Sequence, residues 1–151
     1  MTRSLLRRFR EIFAIIIVTV PGALARGDEC EKIDVYARGE GGYHTYRIPS
    51  VAVTSAGTVL AFCEGRKKSG SDSGDIDVLV RRSSDGGSTF EPAQIVWDDA
   101  ENTCGNPCVV LDRNTKTVWL LMTHNLGMDN EAAVTNGTAR GTRTVWVTRS
   151  T

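Results

Sequence analysis

The sequence predicts an all-β fold, and three observations carry the prediction. No stretch after residue 25 shows the periodicity of a long amphipathic helix. Short apolar segments recur instead between turn signals. The texture of Arg81-Arg82-Ser83-Ser84 also returns in Thr148-Arg149-Ser150-Thr151, 67 residues later. Repeated four-stranded units are the blades of a β-propeller, which closes with about four to eight of them. A single blade cannot bury both faces of its sheet without neighbours. The chain is therefore expected to supply one blade and most of another, as part of a longer protein.

The elements follow in order. Lys32–Tyr36 is a short candidate strand. Ser50–Thr54 and Thr58–Cys63 flank Ser55-Ala56-Gly57 and read as a hairpin. In Ile76–Arg81 the apolar Ile76, Val78 and Val80 share one face, which predicts a half-buried strand. The turn Ser84-Asp85-Gly86-Gly87 leads to a fourth strand at Gln94–Trp97, completing an antiparallel meander. In the second set Cys108–Leu111 and Thr117–Thr123 flank Asp112-Arg113-Asn114-Thr115. A polar loop from His124 to Gly141 then precedes a strand at Thr144–Thr148.

Residues 1–25 stand apart. Arg3, Arg7, Arg8 and Arg10 precede the apolar run Ile12–Val20, followed by Pro21-Gly22 and the small-residue pattern Ala23-Leu24-Ala25. This is the three-part layout of a secretory signal peptide, with cleavage expected after Ala25, and it implies a secreted or periplasmic product. The run falls short of the ~20 residues that cross a bilayer, so no membrane span is expected after cleavage. The remainder, 26–151, is the propeller segment.

The whole chain balances 18 Lys+Arg against 18 Asp+Glu, which argues against a nucleic-acid partner. Without the leader it keeps 14 basic and 17 acidic side chains, a net charge of −3, so any anion site must be local. Cys30, Cys63, Cys104 and Cys108 all remain. Cys63 sits in an apolar run and no His neighbours the Cys104/Cys108 pair, so buried thiols or one bridge fit better than zinc. Neither a metal nor a cofactor is expected.

Three motifs carry the functional reading. Ser83-x-Asp85-x-Gly87-x-Thr89-Phe90 describes a hairpin with its own fastening. Asp85 can accept backbone N–H bonds across the turn, Gly86 and Gly87 supply positive φ, and Phe90 can pack over it. Upstream lies Tyr46-Arg47-Ile48-Pro49-Ser50. Between the two run Leu60-Ala61-Phe62-Cys63-Glu64-Gly65-Arg66 and Ser71-Asp72-Ser73-Gly74-Asp75-Ile76-Asp77.

In order, spacing and sequence these motifs resemble the N-terminal blade of the exo-α-sialidase (neuraminidase) family, whose Asp-box matches the hairpin. The resemblance spans about residues 44–149. It implies a six-bladed sialidase-like propeller that hydrolyses terminal α-linked sialic acids from glycoproteins, glycolipids and oligosaccharides with retention. It implies a structural role for Ser83, Asp85, Gly87, Thr89 and Phe90. It makes Arg47 one of three arginines that grip the sugar carboxylate, places Arg66 near the substrate, and makes Asp72 the acid/base.

The residue types suit these roles. A guanidinium offers two parallel N–H donors to a carboxylate and stays charged at any working pH. A glycosidic oxygen leaves poorly unless protonated, which calls for a general acid. Asp75 is the local rival to Asp72, whereas Asp77 falls within the strand and reads as structural. Asn106, in Gly105-Asn106-Pro107-Cys108, could reach the pocket rim, and Glu131 lies in the loop where the second blade faces substrate; both are equally well explained as turn residues. His44 and His124 have no part in the family mechanism. Asn136-Gly137-Thr138 fits a glycosylation sequon.

The resemblance also implies a Tyr nucleophile, its Glu partner and two more arginines, all from later blades. Tyr36, Tyr43 and Tyr46 do not match the nucleophile's place. The 151-residue chain alone is thus expected to lack turnover. An alternative reading is a non-catalytic glycan-binding Asp-box propeller segment.

Overall fold

The computed structural model describes residues 30–150, and the expected leader and its cleavage site lie outside them. All strands fall within the compact unit Lys32–Thr151. Among the described residues there are seven strands and one short helix: β1 Thr45–Val53, β2 Val59–Arg66, β3 Ile76–Ser83, β4 Gln94–Trp97, β5 Thr103–Asp112, β6 Thr117–Asn125, α1 Glu131–Thr135 and β7 Thr144–Ser150. β1 to β4 form the expected antiparallel meander, and β5 to β7 a second one. A single parallel bridge, Ile76 to Thr103, joins them at one end, so the two sheets diverge from there.

The hydrophobic core lies between the diverging sheets. Leu60 and Phe62 of β2 and Val78 and Val80 of β3 meet Cys104 of β5 and Leu120 and Met122 of β6. Each sheet thus supplies the cover that the other needs, as expected of adjoining blades. β7 pairs only with β6 among the described strands, and it leaves Val145, Trp146 and Val147 exposed.

Three sequence expectations are corrected. β3 is not half-buried: Asp77 and Leu79, on the face opposite Val78, are fully enclosed too. The cover comes from residues 32–44, which do not form the strand expected at Lys32–Tyr36. Tyr43 packs on Cys63 and Leu79, with Tyr36 and Tyr46 beside it. The Tyr36 hydroxyl donates to Ala61 O at 2.9 Å, and its ring lies under the Arg81 guanidinium. The segment is held by side chains rather than by a ladder, which is why alternation misleads there. Gly65 makes this close approach possible, because a Cβ there would stand 2.7 Å from both Leu79 and the Tyr43 ring. Third, the loop expected from His124 to Gly141 contains α1, whose N-cap Asn130 accepts the Ala133 N–H at 2.9 Å.

β1 and β5 begin earlier than expected, at Thr45 and Thr103. Proline lacks a ladder donor and marks strand ends in a sequence. Here each proline is absorbed by a bulge, between Arg47 and Ser50 in β1 and between Gly105 and Cys108 in β5. The residue before each proline takes a left-handed backbone, Ile48 at φ 55° and Asn106 at φ 51°. Asparagine tolerates this conformation; a β-branched isoleucine does so only under strain. The bulges lie side by side, since Ser50 Oγ accepts the Val109 N–H at 3.1 Å.

Candidate active site

The strand ends Arg66, Ile76, Thr103 and Asn125 converge on one edge of the two sheets. There Ile48, Glu64, Arg66, Asp72, Thr103, Asn106, Asn125, Glu131 and Arg143 line a cleft of about 250 Å³. The bulges bring Arg47 and Asn106 to this edge, so the strained Ile48 belongs to the cleft wall.

Arg47, Arg66 and Asp72, singled out from the sequence, meet here. Asp72 Oδ1 lies 2.7 Å from Arg47 Nη1 and 2.8 Å from Arg66 Nη1. Arg66 is 2% exposed and firmly held. Its Nη1 also donates to Gly70 O and Ser71 O at 2.7 Å each, so the loop carrying Asp72 is draped over the guanidinium. Arg47 and Asp72 are open to solvent, with 44% and 64% of their side chains exposed. Asp75 points elsewhere: its carboxylate meets Lys67 at 2.9 Å and does not line the cleft.

Sequence reasoning missed Glu64. It is 3% exposed, and its Oε2 accepts from Arg66 Nη2 at 2.6 Å and from Arg66 Nε at 3.0 Å. The other oxygen, Oε1, accepts the Asn106 N–H at 2.8 Å. The carboxylate thus joins an arginine of the first sheet to the bulge of the second. Gly105 leaves room for it, since a Cβ there would stand 2.5 Å from Glu64 Oε1. The available signal was a charge inside the apolar run Leu60–Gly65. Arg143, also missed, donates from Nε to Asn125 Oδ1 at 3.2 Å and pairs with Glu131 at 2.8 Å. A lone arginine before a strand offers no sequence signal. Asn106 and Glu131 do line the cleft, and Asn106 Nδ2 donates to Thr123 Oγ1 at 2.8 Å.

The other singled-out residues lie away from it. The Ser83 hydroxyl donates to Asp85 Oδ1 at 2.7 Å and accepts the Gly87 N–H at 2.8 Å. Asp85 accepts the Thr89 N–H at 2.9 Å and the Thr89 hydroxyl at 2.6 Å, which hold its carboxyl far below the ordinary range. Phe90 is half-buried beside the turn. The turn sits at the opposite end of β3 from the cleft, roughly 20 Å away at strand rise. His44 contacts Arg38 and Thr45, and His124 contacts Asp99 and stacks on Trp97. The hydroxyls of Tyr36, Tyr43 and Tyr46 are engaged with Ala61 O, Asp77 and Glu40 O. All four cysteines are unbridged, with Cys63 and Cys104 buried. Burial pushes both thiols up to about 12.

The hydrogen bond from Arg66, aided by the charges of Arg66 and Arg47, holds the Asp72 carboxyl below its ordinary value. Free of substrate, Asp72 is therefore a carboxylate at neutral pH, and it occupies the donors that another carboxylate would seek.

Two sheets diverging from one bridged end, with two guanidiniums and a carboxylate meeting at that end, define part of a β-propeller. No model of a known protein family matches the chain. An exo-alpha-sialidase of Aspergillus fumigatus is 37% identical over 90 residues, covering 56% of this chain and 22% of that protein. The solved Hadza microbial sialidase Hz136 superposes with a TM-score of 0.65 at 31% identity, over 74% of this chain and 24% of its own. The Trypanosoma rangeli sialidase in complex with sialic acid shares the fold alone, with a TM-score of 0.54 at 17% identity over 72% of this chain and 20% of its own. The chain belongs to the sialidase family, and its strands are a four-stranded and a three-stranded portion of a sialidase-like β-propeller that is not closed. It spans about a quarter of the length of the curated relatives it matches.

Two outcomes follow from the geometry. Glu64→Gln keeps the shape but leaves the buried Arg66 without its carboxylate, and should cost about 3 kcal/mol in denaturant unfolding. Arg47→Ala should raise the titration midpoint of Asp72, followed by carboxyl carbon NMR, while Arg66 still keeps it below about 3.9. Because the folded value is the depressed one, the stability from these pairs is complete above pH ~4 and fades as pH falls through the folded value. An unchanged midpoint in the Arg47 variant would show that the pair does not form in solution.

Proposed function

We propose that this cleft is part of the site of an exo-α-sialidase that hydrolyses terminal α-linked sialic acids from glycoconjugates with retention. The observation that carries the reading is the convergence of Arg47, Arg66 and Asp72 within 2.8 Å at the rim of one cleft. Arg47 receives the sugar carboxylate, Arg66 lies beneath the ring, and Asp72 passes its proton to the glycosidic oxygen as the anomeric C–O bond breaks. Ser83, Asp85, Gly87, Thr89 and Phe90 form the structural Asp-box. This reading takes the tyrosine nucleophile and the remaining arginines from later blades, so turnover is ascribed to a protein of full sialidase length.

An acid must be protonated, yet Asp72 is ionised in the free cleft. Ligand exchange resolves the conflict. An exposed ion pair is worth about 1 kcal/mol at most, so the Arg47–Asp72 contact yields readily to an incoming carboxylate that engages Arg47 with two parallel bonds. Displacement removes one charge that stabilised the Asp72 anion, and closure over the sugar removes water; both raise its affinity for a proton. The same reading takes residues 1–25 as an export leader.

In a full-length protein carrying this segment, Asp72→Ala should cut hydrolysis of a natural sialyl-galactoside by at least ~100-fold, the low end for general acid catalysis, while ligand binding persists. Substantial turnover by that variant would count against the assignment, whereas turnover by the purified 151-residue chain alone would show that this segment does not need later blades. Export predicts that N-terminal sequencing of the secreted protein starts at Arg26; a product starting at Met1 would refute the leader.

A further inference from the structure

Lys67 faces three carboxylates that the proposed chemistry does not use. Its Nζ lies 2.9 Å from Asp75 Oδ1, 3.1 Å from Asp77 Oδ2 and 3.3 Å from Asp98 Oδ2. These groups come from three places: the end of the loop that carries Asp72, the buried part of β3, and the residue after β4. Tyr43 donates to the same Asp77 oxygen at 2.6 Å, while Asp77 Oδ1 is enclosed without a hydrogen-bond partner. A carboxylate so enclosed needs a cation beside it, and Lys67 supplies one. Burial works against the ammonium, but the facing carboxylates outweigh it and push its proton affinity well up. Lys67 is therefore a permanent charge here.

The same residue closes the neck of the loop. The Lys67 N–H donates to Asp75 O at 3.1 Å, so segment 67–75 leaves the sheet and returns at a single point. On the return limb the Thr103 hydroxyl donates to Gly74 O at 2.9 Å and accepts the Gly74 N–H at 3.2 Å. Asp72 hangs between this neck and the Arg66 guanidinium. When substrate takes Arg47, Arg66 and the neck are what still fix the carboxyl's height over the sugar.

We propose that Lys67 is a positioning residue for the acid/base, its ammonium clasping Asp75, Asp77 and Asp98 so that the loop presents Asp72 at the glycosidic oxygen. The inference rests on the sialidase reading, and it explains why Asp75, the sequence rival for the acid, is turned away from the cleft. Lys67 touches no substrate. Its effect is on the distance between proton and leaving oxygen, where an error of about 1 Å can cost ~100-fold.

The leaving group separates this from a merely structural role. An aryl sialoside with a good leaving group needs little protonation, whereas a sialyl-galactoside needs it fully. Lys67→Met leaves Asp77 uncompensated and can prevent folding, so the informative variant is Lys67→Met/Asp77→Asn, which removes both charges. In the full-length protein it should lose roughly tenfold or more in kcat on the galactoside, with the aryl substrate and KM changed about twofold or less. Lys67→Arg should recover most of the loss. An equal loss on both substrates, or none, overturns the inference, while a wild-type protein that cleaves neither overturns the sialidase reading instead. Hydrogen exchange tests the clasp without activity: the Gly74 amide should exchange about tenfold faster in the double variant and near the wild-type rate in Lys67→Arg. An unchanged rate in the double variant also overturns it.

Discussion

A buried carboxylate organises this edge of the molecule. Glu64 binds Arg66 through one oxygen and the Asn106 N–H through the other, while only 3% of it reaches solvent. Neither group could be buried alone. An enclosed guanidinium without a partner is severely penalised, and so is an enclosed carboxylate; only together, with both carboxylate oxygens hydrogen-bonded, is the cost offset. Because the partners belong to different sheets, satisfying the charge also fixes how the sheets meet. The glycine at position 105 follows from the same demand, for any side chain there would occupy the place of Glu64 Oε1.

The two proline bulges extend this constraint into a repeat. Arg47-Ile48-Pro49-Ser50 and Gly105-Asn106-Pro107-Cys108 perform the same backbone manoeuvre, each with a positive φ before the proline. What differs is the residue ahead of it. In the first sheet this is an arginine that reaches the cleft rim; in the second it is a glycine that makes room for Glu64. One backbone device thus serves to project a side chain in one blade and to admit a neighbour's in the next. The strain at Ile48 lies where it holds Arg47 outward, in keeping with the clustering of strained backbone at functional sites.

Much of this was legible in the residues themselves. The strands, their antiparallel order and the Ser83–Phe90 fastening follow from local pattern, because alternation and turn chemistry act over a few residues. Arg47, Arg66 and Asp72 were legible through their motif context, and they do come together. Where reading failed, the cause was contact distant in sequence. Tyr36 and Tyr43 cover β2 and β3 from a segment whose own pattern resembles a strand, and nothing local distinguishes a strap from a ladder. Prolines 49 and 107 look like strand boundaries until the bulges that absorb them are seen. Arg143 joins the cleft through Asn125 and Glu131, a meeting that depends on the path of the 126–143 loop.

The charges of the cleft bear directly on how a sugar acid could be received. Arg47, Arg66 and Arg143 stand against Glu64, Asp72 and Glu131, so the unliganded arrangement is neutral and has no field with which to retain an anion firmly. Among these anions Glu64 is buried on Arg66, and Glu131 lies across the cleft on Arg143. Asp72 and Glu131 are both exposed, at 64% and 63% of their side chains, but only Asp72 sits on a loop against the Arg47 guanidinium that the proposed reading gives to the sugar. In the proposed reading its protonation performs two tasks at once: it arms the acid, and it leaves the cleft with one positive charge in excess, equal and opposite to the carboxylate of the incoming sugar. Substrate binding and proton uptake then favour each other, by the same reciprocity that links any two ligands of one site. An acid that rests as a carboxylate on the substrate's own anchor is, on this view, how a neutral cleft discriminates for an anionic sugar.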